Sequence, residues 1–208
     1  HKTDFNTLTV VNRVNSQKPN EVYRFLKEIG SGYIQFIPLV ERQQTGVLKI
    51  LDFAEPPVPG DENDPHSPVT SWSVEAKTYG QFLCTIFDEW VRHDVGRYFV
   101  QLFDVALGQW MGMGSSLCVF AEKCGKGLAL EHNGDLYSCD HYVYPRSKLG
   151  NVLNQSLGEL VNLPEQIKFG SDKADTLPNY CKTCEVKFAC NGECPKHRFV
   201  ETPDGEAG

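Results

Sequence analysis

Between Cys181 and Cys194 the chain reads "CKTCEVKFACNGEC", four cysteines in fourteen residues. Thiols this close in sequence either oxidise to disulfides or bind metal, and both bonds fix the local backbone. The stretch can only be short turns wrapped around whatever the thiols hold. Three more cysteines, Cys118, Cys124 and Cys139, lie upstream, and the eighth, Cys84, stands apart.

The chain has 208 residues, 40% hydrophobic and 23% charged, enough for one large domain or two modest ones with an ordinary core. The thiols are therefore not needed merely to staple a tiny fold. No secretory signal is visible and seven clustered cysteines is an odd number, so disulfides are disfavoured and a reducing, cytoplasmic setting is expected. A net charge of −7 disfavours wholesale binding to nucleic acid or to an anionic membrane. No apolar run reaches the roughly 18 residues of a membrane span.

The first half reads as alternating strands and helices. "FNTLTVVNRVN" (5–15) is rich in β-branched residues and predicts a strand with its exit loop. "NEVYRFLKEIG" (20–30) carries Val22, Phe25, Leu26 and Ile29 at helical spacing. "SGYIQFIPLVER" (31–42) predicts a second strand, broken by Pro38. The order strand, helix, strand implies a crossover and parallel pairing. Five prolines between 54 and 70 predict a surface loop, 73–96 an amphipathic helix, and 97–113 a short strand and then a helix. Cys84, beside Phe82, Ile86 and Phe87 in that amphipathic helix, is expected to be a buried, inert thiol.

Near Gly114 the texture changes to cysteines set among Gly, Asn and Asp, so the domains are placed at 1–113 and 114–208. "GLALEHNGDLYSCDHYVYP" (127–145) alternates on both sides of Asn133-Gly134 and predicts a β-hairpin. His132 and Asn133 fall at its turn. Cys181-x2-Cys184 suits tetrahedral zinc, with Cys190 and Cys194 completing four ligands. Iron–sulfur clusters are also held by four thiolates, and spacing alone does not separate the two. Two hints favour clusters: no His lies inside the tight group, and the seven thiols exceed one tetrahedral site.

Two patterns, Cys124-x9-Gly134-x4-Cys139 and Cys181-x2-Cys184-x5-Cys190-x3-Cys194, resemble the SPASM domain, the auxiliary-cluster module of many radical SAM enzymes. The stretches 116–145, "LGNV", 169–199, "PDGE", "FNTLTVVNRVN" and "YIQFIPLVER" are similar to the anaerobic sulfatase-maturating enzymes. The resemblance implies an α/β chain, the latter half of a partial (β/α) radical SAM barrel followed by a SPASM domain with a β-hairpin and short helices. That family's CxxxCxxC motif, and the cysteine that follows its "PDGE", are not found here. The expectation is a carboxy-terminal fragment that cannot by itself start the reaction.

For the intact enzyme the resemblance implies S-adenosyl-L-methionine, two auxiliary 4Fe–4S clusters and a third at the motif not found here. It implies oxidation of a Cys or Ser in an unfolded or nascent sulfatase to Cα-formylglycine without oxygen, fed by an electron donor such as a flavodoxin or ferredoxin. By the same resemblance Cys118, Cys124, Cys139 and Cys194 hold one auxiliary cluster and Cys181, Cys184 and Cys190 the other. Asp140 is implied as the base that deprotonates the substrate. On a strand, neighbours point to opposite faces, so Cys139 facing the cluster would leave Asp140 facing the substrate. The other reading of Asp140 is a brace at the hairpin end.

Asn12 and Gln35, at strand ends of the barrel, are expected to approach the nucleoside or substrate. His141 lines the cleft or is simply half-buried. Lys196, His197 and Arg198 either offset cluster charge and hydrogen-bond the sulfurs or begin a solvated helix. Two rival functions stay open: a zinc- or iron–sulfur-binding module that recruits a partner, and a SPASM-containing enzyme that modifies another peptide.

Overall fold

A computed structural model describes residues 3–43, 69–198 and 200–206. The proline-rich loop expected at 54–70 lies almost wholly outside the described residues. Two compact units divide between Gly108 and Gln109.

The first unit is a parallel sheet with helices on one face. Strand β1 (Asn6–Val11) is followed by helix α1 (Pro19–Glu28) and strand β2 (Tyr33–Pro38). Helix α2 (Ala76–His93), strand β3 (Phe99–Val100) and helix α3 (Gln101–Trp110) complete it. The sheet order is β1-β2-β3, all parallel, with Asn6 opposite Tyr33 and Tyr33 opposite Phe99. The parallel pairing expected from the strand–helix–strand order is present, and the helices fall where the apolar spacing puts them.

Pro19 opens α1, where its missing N–H costs nothing. Gly30 follows its end at φ +84°, a conformation that favours glycine. Val11, Ile34, Phe36 and Val100 bury one sheet face against Tyr23 and Leu26 of α1 and Phe82, Ile86 and Trp90 of α2. Asp94 sits buried beyond α2 and accepts hydrogen bonds from Tyr23 Oη (2.9 Å) and Lys27 Nζ (2.8 Å), which satisfies its charge away from water. The opposite sheet face carries Leu8, Val10, Tyr33, Ile37 and Phe99, all exposed, with Tyr33 stacked on Phe99.

Cys84 departs from expectation and is exposed. The buried stripe of α2 runs through Phe82, Ile86 and Trp90, and Cys84 lies about 200° round the helix from Phe82.

The second unit has little regular structure. Strands β4 (Ala129–Leu130), β5 (Asp135–Tyr137) and β6 (Lys148–Asn151) form an antiparallel sheet in that order. The expected hairpin is present, and β6 adds a third strand that the sequence reading did not contain. Gly134 N–H closes the turn onto the Glu131 carbonyl, with Gly134 itself at φ +86°. Asp135 is gripped by Lys148 (2.7 Å) and by Asn151 and Asn133, which holds its carboxyl below the usual carboxylate range. Four helices follow: α4 (Leu157–Val161), α5 (Pro164–Asp175), α6 (Asn179–Lys182) and α7 (Lys187–Cys190). Among the described residues no helix is long and apolar enough to cross a membrane.

Gly80 lies inside α2, and a Cβ added there meets no atom within 4 Å. Gly80→Ala should raise the stability of this unit by about 0.5–1 kcal/mol, because alanine loses less backbone entropy in a helix. The check is the urea midpoint by circular dichroism; a lower midpoint would contradict the packing described for α2.

Candidate metal centre

The seven cysteines of the second unit are brought together, and one helix arranges three of them. Helix α5 buries Gln166, Gly170 and Lys173, spaced so as to share one face, where a helix of this size normally buries apolar side chains. Each serves a cysteine loop. Lys173 Nζ donates to the carbonyls of Cys118 (2.7 Å), Val119 (2.8 Å) and Ala121. Gly170 accepts from Cys124 N–H at 3.1 Å, and a Cβ there would stand 2.6 Å from the Cys124 carbonyl oxygen. Gln166 Nε2 donates to the Gly125 (2.8 Å) and Ser138 (3.1 Å) carbonyls, and so ties the Cys124 loop to the strand end that carries Cys139. Nothing in the sequence flagged these residues, because polar side chains in a helix read as its solvated face.

Cys194 closes this group. Burial raises its thiol to about 11, with Glu193, Cys118 and Cys124 adding to the rise. Burial raises Cys139 to about 12, and its neighbours Asp140 and Cys194 push the same way. Burial also raises Cys124, against the pull of Lys173 and with Cys118 adding to it. Cys118, Cys124, Cys139 and Cys194 are thus one electrostatic neighbourhood.

Cys181, Cys184 and Cys190 form a second. Burial raises Cys181, with Cys190 and Cys184 as the thiols that reinforce it. Cys181 rides on α6, whose first N–H groups are held by carboxylates from the chain end. Glu206 accepts from Asn179 N–H at 2.6 Å and Asp204 from Tyr180 N–H at 2.8 Å. Such negative charge at a helix start offsets its unpaired donors. Cys190 ends α7, and Asn191 Nδ2 reaches back to the Phe120 carbonyl at 2.8 Å.

Between Cys190 and Cys194 the chain turns through three successive residues with positive φ: Asn191 (50°), Gly192 (73°) and Glu193 (51°). Left-handed non-glycine residues cost on the order of 1–3 kcal/mol each. That reversal sends neighbouring cysteines to different groups.

Among the described residues the second unit also buries two cations with no carboxylate on either. Lys173 is 0% exposed and Arg198 5% exposed. Arg198 Nε donates to the Gly192 carbonyl (3.2 Å) and Nη1 to Thr176 Oγ1 (3.3 Å). Its buried Nη2 finds no partner among the described residues. Burial lowers both cations, and nearby acidic groups raise them again: the thiols of Cys124, Cys118 and Cys194 for Lys173, and Cys181, Tyr142, Cys194 and Cys124 for Arg198. Uncompensated buried charge is strongly unfavourable. These cations fit thiols that have lost their protons, which is the state a bound metal imposes. The donor set therefore suits an iron–sulfur group. Among the described residues no three His, Cys, Asp or Glu side chains converge as on a single ion. A four-iron cluster instead takes each thiolate on a separate iron. All eight cysteines are free thiols.

Asp140 corrects an expectation. It does not continue the strand but opens a 3-10 turn (Asp140–Tyr142), and its Oδ1 lies 3.2 Å from Cys139 Sγ. The two side chains meet rather than point to opposite faces, because β5 ends at Tyr137 and a turn rotates successive side chains together. Asp140 is nevertheless exposed. His141 Nδ1 lies 3.4 Å from Cys194 Sγ, and burial lowers its imidazole so that the neutral ring is favoured. His197 pairs with Glu193 at 3.0 Å, and Lys196 is half-buried, so the segment from Lys196 to Arg198 is not a solvated helix start.

In the first unit, Asn12 Oδ1 accepts from the N–H groups of Val14 (2.8 Å) and Asn15 (3.0 Å) and shapes the exit from β1. Gln35 lies in mid-strand on the open sheet face, opposite Leu8. Both belong to the first unit.

The SPASM family, an iron–sulfur cluster-binding domain, matches residues 118–185. The chain is 46% identical over 211 residues to a serine-type anaerobic sulfatase-maturating enzyme of Bacteroides thetaiotaomicron, covering 100% of this chain and 49% of that protein. It is 27% identical over 210 residues to a cysteine-type anaerobic sulfatase-maturating enzyme of Clostridium novyi, covering 99% of this chain and 50% of that one. Its fold matches native anSMEcpe with bound AdoMet at a TM-score of 0.75 and 24% identity, over 98% of this chain and 50% of that structure. The chain spans about half the length of the curated relatives it matches.

Gly170 gives the arrangement a sharp test. Gly170→Ala favours the helix by about 1 kcal/mol, yet its Cβ would push the Cys124 carbonyl out of place. Iron bound after anaerobic reconstitution should fall to about half or less, while Gly80→Ala should leave it unchanged. Full iron in Gly170→Ala would mean that α5 does not set the Cys124 loop.

Proposed function

We propose that the chain is part of a radical SAM oxidoreductase that converts a Cys or Ser of a sulfatase to Cα-formylglycine. One observation carries the reading: seven thiols gather into a group of four and a group of three, with an exposed carboxylate, Asp140, against the group of four. Similarity to serine-type and cysteine-type sulfatase-maturating enzymes along the whole chain supports it.

Cys118, Cys124, Cys139 and Cys194 would hold one 4Fe–4S cluster, and Cys181, Cys184 and Cys190 three corners of another. When bound, such clusters supply one-electron transfer, and S-adenosylmethionine supplies the hydrogen-abstracting radical. A flavodoxin or ferredoxin is the fitting electron donor and the cytoplasm the fitting compartment, since all the thiols must stay reduced. The 46% identity to a serine-type enzyme favours serine as the residue oxidised.

What this chain's residues do follows from their positions. Ligation would remove the Cys139 proton, and with it the S–H that Asp140 accepts. That would leave Asp140 as an exposed carboxylate able to take the proton of a substrate thiol or hydroxyl. An ordinary carboxylate is a weak base toward either group, so proton removal has to run together with oxidation. The neutral His141 ring next to it holds Cys194 rather than competing for that proton. Asn12 and Gln35 are proposed to lie toward the nucleoside or substrate.

In the full-length protein, Asp140→Asn should keep its iron and still release 5′-deoxyadenosine, since neither task uses this carboxylate. Aldehyde formation on a sulfatase peptide should fall by about 10²–10⁴-fold, the usual cost of losing a general base. Wild-type yields of both products would reduce Asp140 to a brace of the turn. Wild-type iron with no aldehyde on any sulfatase peptide, in the unmutated protein, would favour an enzyme acting on a different peptide.

A further inference from the structure

Among the described residues of the second unit, Arg198 is the buried cation that feels thiols of both groups. It lies within electrostatic reach of Cys181 in one group and of Cys194 and Cys124 in the other. Two of its three nitrogens are spent on protein oxygens: Nε on the Gly192 carbonyl and Nη1 on Thr176 Oγ1. Those bonds fix the plane of the guanidinium. The third, Nη2, is buried without a partner among the described residues. A guanidinium left with an unsatisfied, oriented N–H pair in an interior is costly unless an acceptor arrives.

The local chain is shaped around that nitrogen. A Cβ on Gly192 would stand 2.8 Å from Nη2 and 2.2 Å from a Leu177 methyl, so only glycine lets the left-handed turn pass this close. The same turn separates Cys190 from Cys194. Lys173 offers a contrast. Its ammonium is fully used on three carbonyls, and the thiols near it, Cys124, Cys118 and Cys194, all belong to the group of four. Lys173 builds a loop, whereas Arg198 keeps a donor in reserve.

We propose that Arg198 donates through Nη2 to the sulfur of the bound iron–sulfur groups and sets the reduction potentials of both at once. The inference rests on the proposed function only in taking both thiol groups to hold clusters. Reduction adds negative charge to a cluster, and a fixed, buried cation with an unspent N–H beside it would stabilise that state, so Arg198 would raise both potentials. A single guanidinium shared in this way keeps the two potentials moving together, which suits electrons that must pass between them. Because its guanidinium is bound to Gly192 and Thr176, any shift of the 190–194 turn that one group imposes is felt at the other.

The test uses the full-length protein reconstituted anaerobically with iron and sulfide. Iron and acid-labile sulfide are counted first, and each cluster is titrated by EPR. Arg198→Gln should retain iron and make reduction of both auxiliary clusters at least tenfold less favourable, a shift of about 59 mV to lower potential. Arg198→Lys, which keeps the charge and loses the fork, should recover part of that shift. Retained iron with unchanged potentials, or a shift at one cluster alone, overturns the proposal. If Arg198→Gln fails to assemble, the unmutated protein decides. With ¹⁵N-arginine incorporated, pulsed EPR of the reduced clusters should show an arginine nitrogen coupled to each, and its absence from either overturns the proposal. Unmutated protein that binds no iron and sulfide sinks the functional reading instead, and this inference with it.

Discussion

The Lys173 ammonium, wholly buried and bonded to the carbonyls of Cys118, Val119 and Ala121, is the interaction on which the second unit depends. A loop with no secondary structure has to bury backbone oxygens somewhere, and each needs a donor. One lysine supplies three. The cation in turn needs negative charge, and the thiols of Cys124, Cys118 and Cys194 are placed to provide it. The loop and the helix are therefore conditions for one another, and negative charge on the thiols would complete both. Without metal the burial-raised thiols stay protonated and Lys173 and Arg198 lie uncompensated. The fold of this unit is thus coupled to its occupant, as in other small metal-held domains.

The turn from Cys190 to Cys194 carries that coupling between the two thiol groups. Two of its left-handed residues, Asn191 and Glu193, are not glycine and are strained, and strain of this kind persists only where the surroundings over-determine it. Here Asn191 is fixed to the Phe120 carbonyl, Gly192 is packed under Leu177 and Arg198, and Glu193 is held by His197. The first unit is of another kind. Its core is apolar, and its buried Asp94 is held by Tyr23 and Lys27. It needs nothing bound to be complete on its helical face, while the opposite face leaves Leu8 and Val10 in solvent.

How much of this was legible in the sequence varies with the physics behind each element. The parallel strands and α1 and α2 follow from apolar periodicity, and Asn133-Gly134 marks the hairpin because glycine tolerates positive φ there. Cysteine spacing singled out the seven clustered thiols, and resemblance, not spacing, divided them into two groups. Three features stayed out of reach. The polar buried face of α5 is invisible to a rule that equates burial with apolar residues. The exposure of Cys84 depends on helix phase, and in α2 apolar residues occupy most of the circumference. The turn at Asp140 depends on where β5 stops, and a three-residue strand gives no periodic signal to end.

The central claim is that these seven thiols hold two iron–sulfur clusters divided as Cys118, Cys124, Cys139 and Cys194 against Cys181, Cys184 and Cys190. Mössbauer spectroscopy of ⁵⁷Fe-reconstituted protein, compared with single Cys→Ala variants, measures it directly. The account predicts 4Fe–4S spectra from two sites. It predicts that Cys124→Ala depletes one and Cys181→Ala the other, and that Cys84→Ala loses neither. A single site depleted equally by Cys124→Ala and Cys181→Ala, or iron lost as readily in Cys84→Ala, would contradict it.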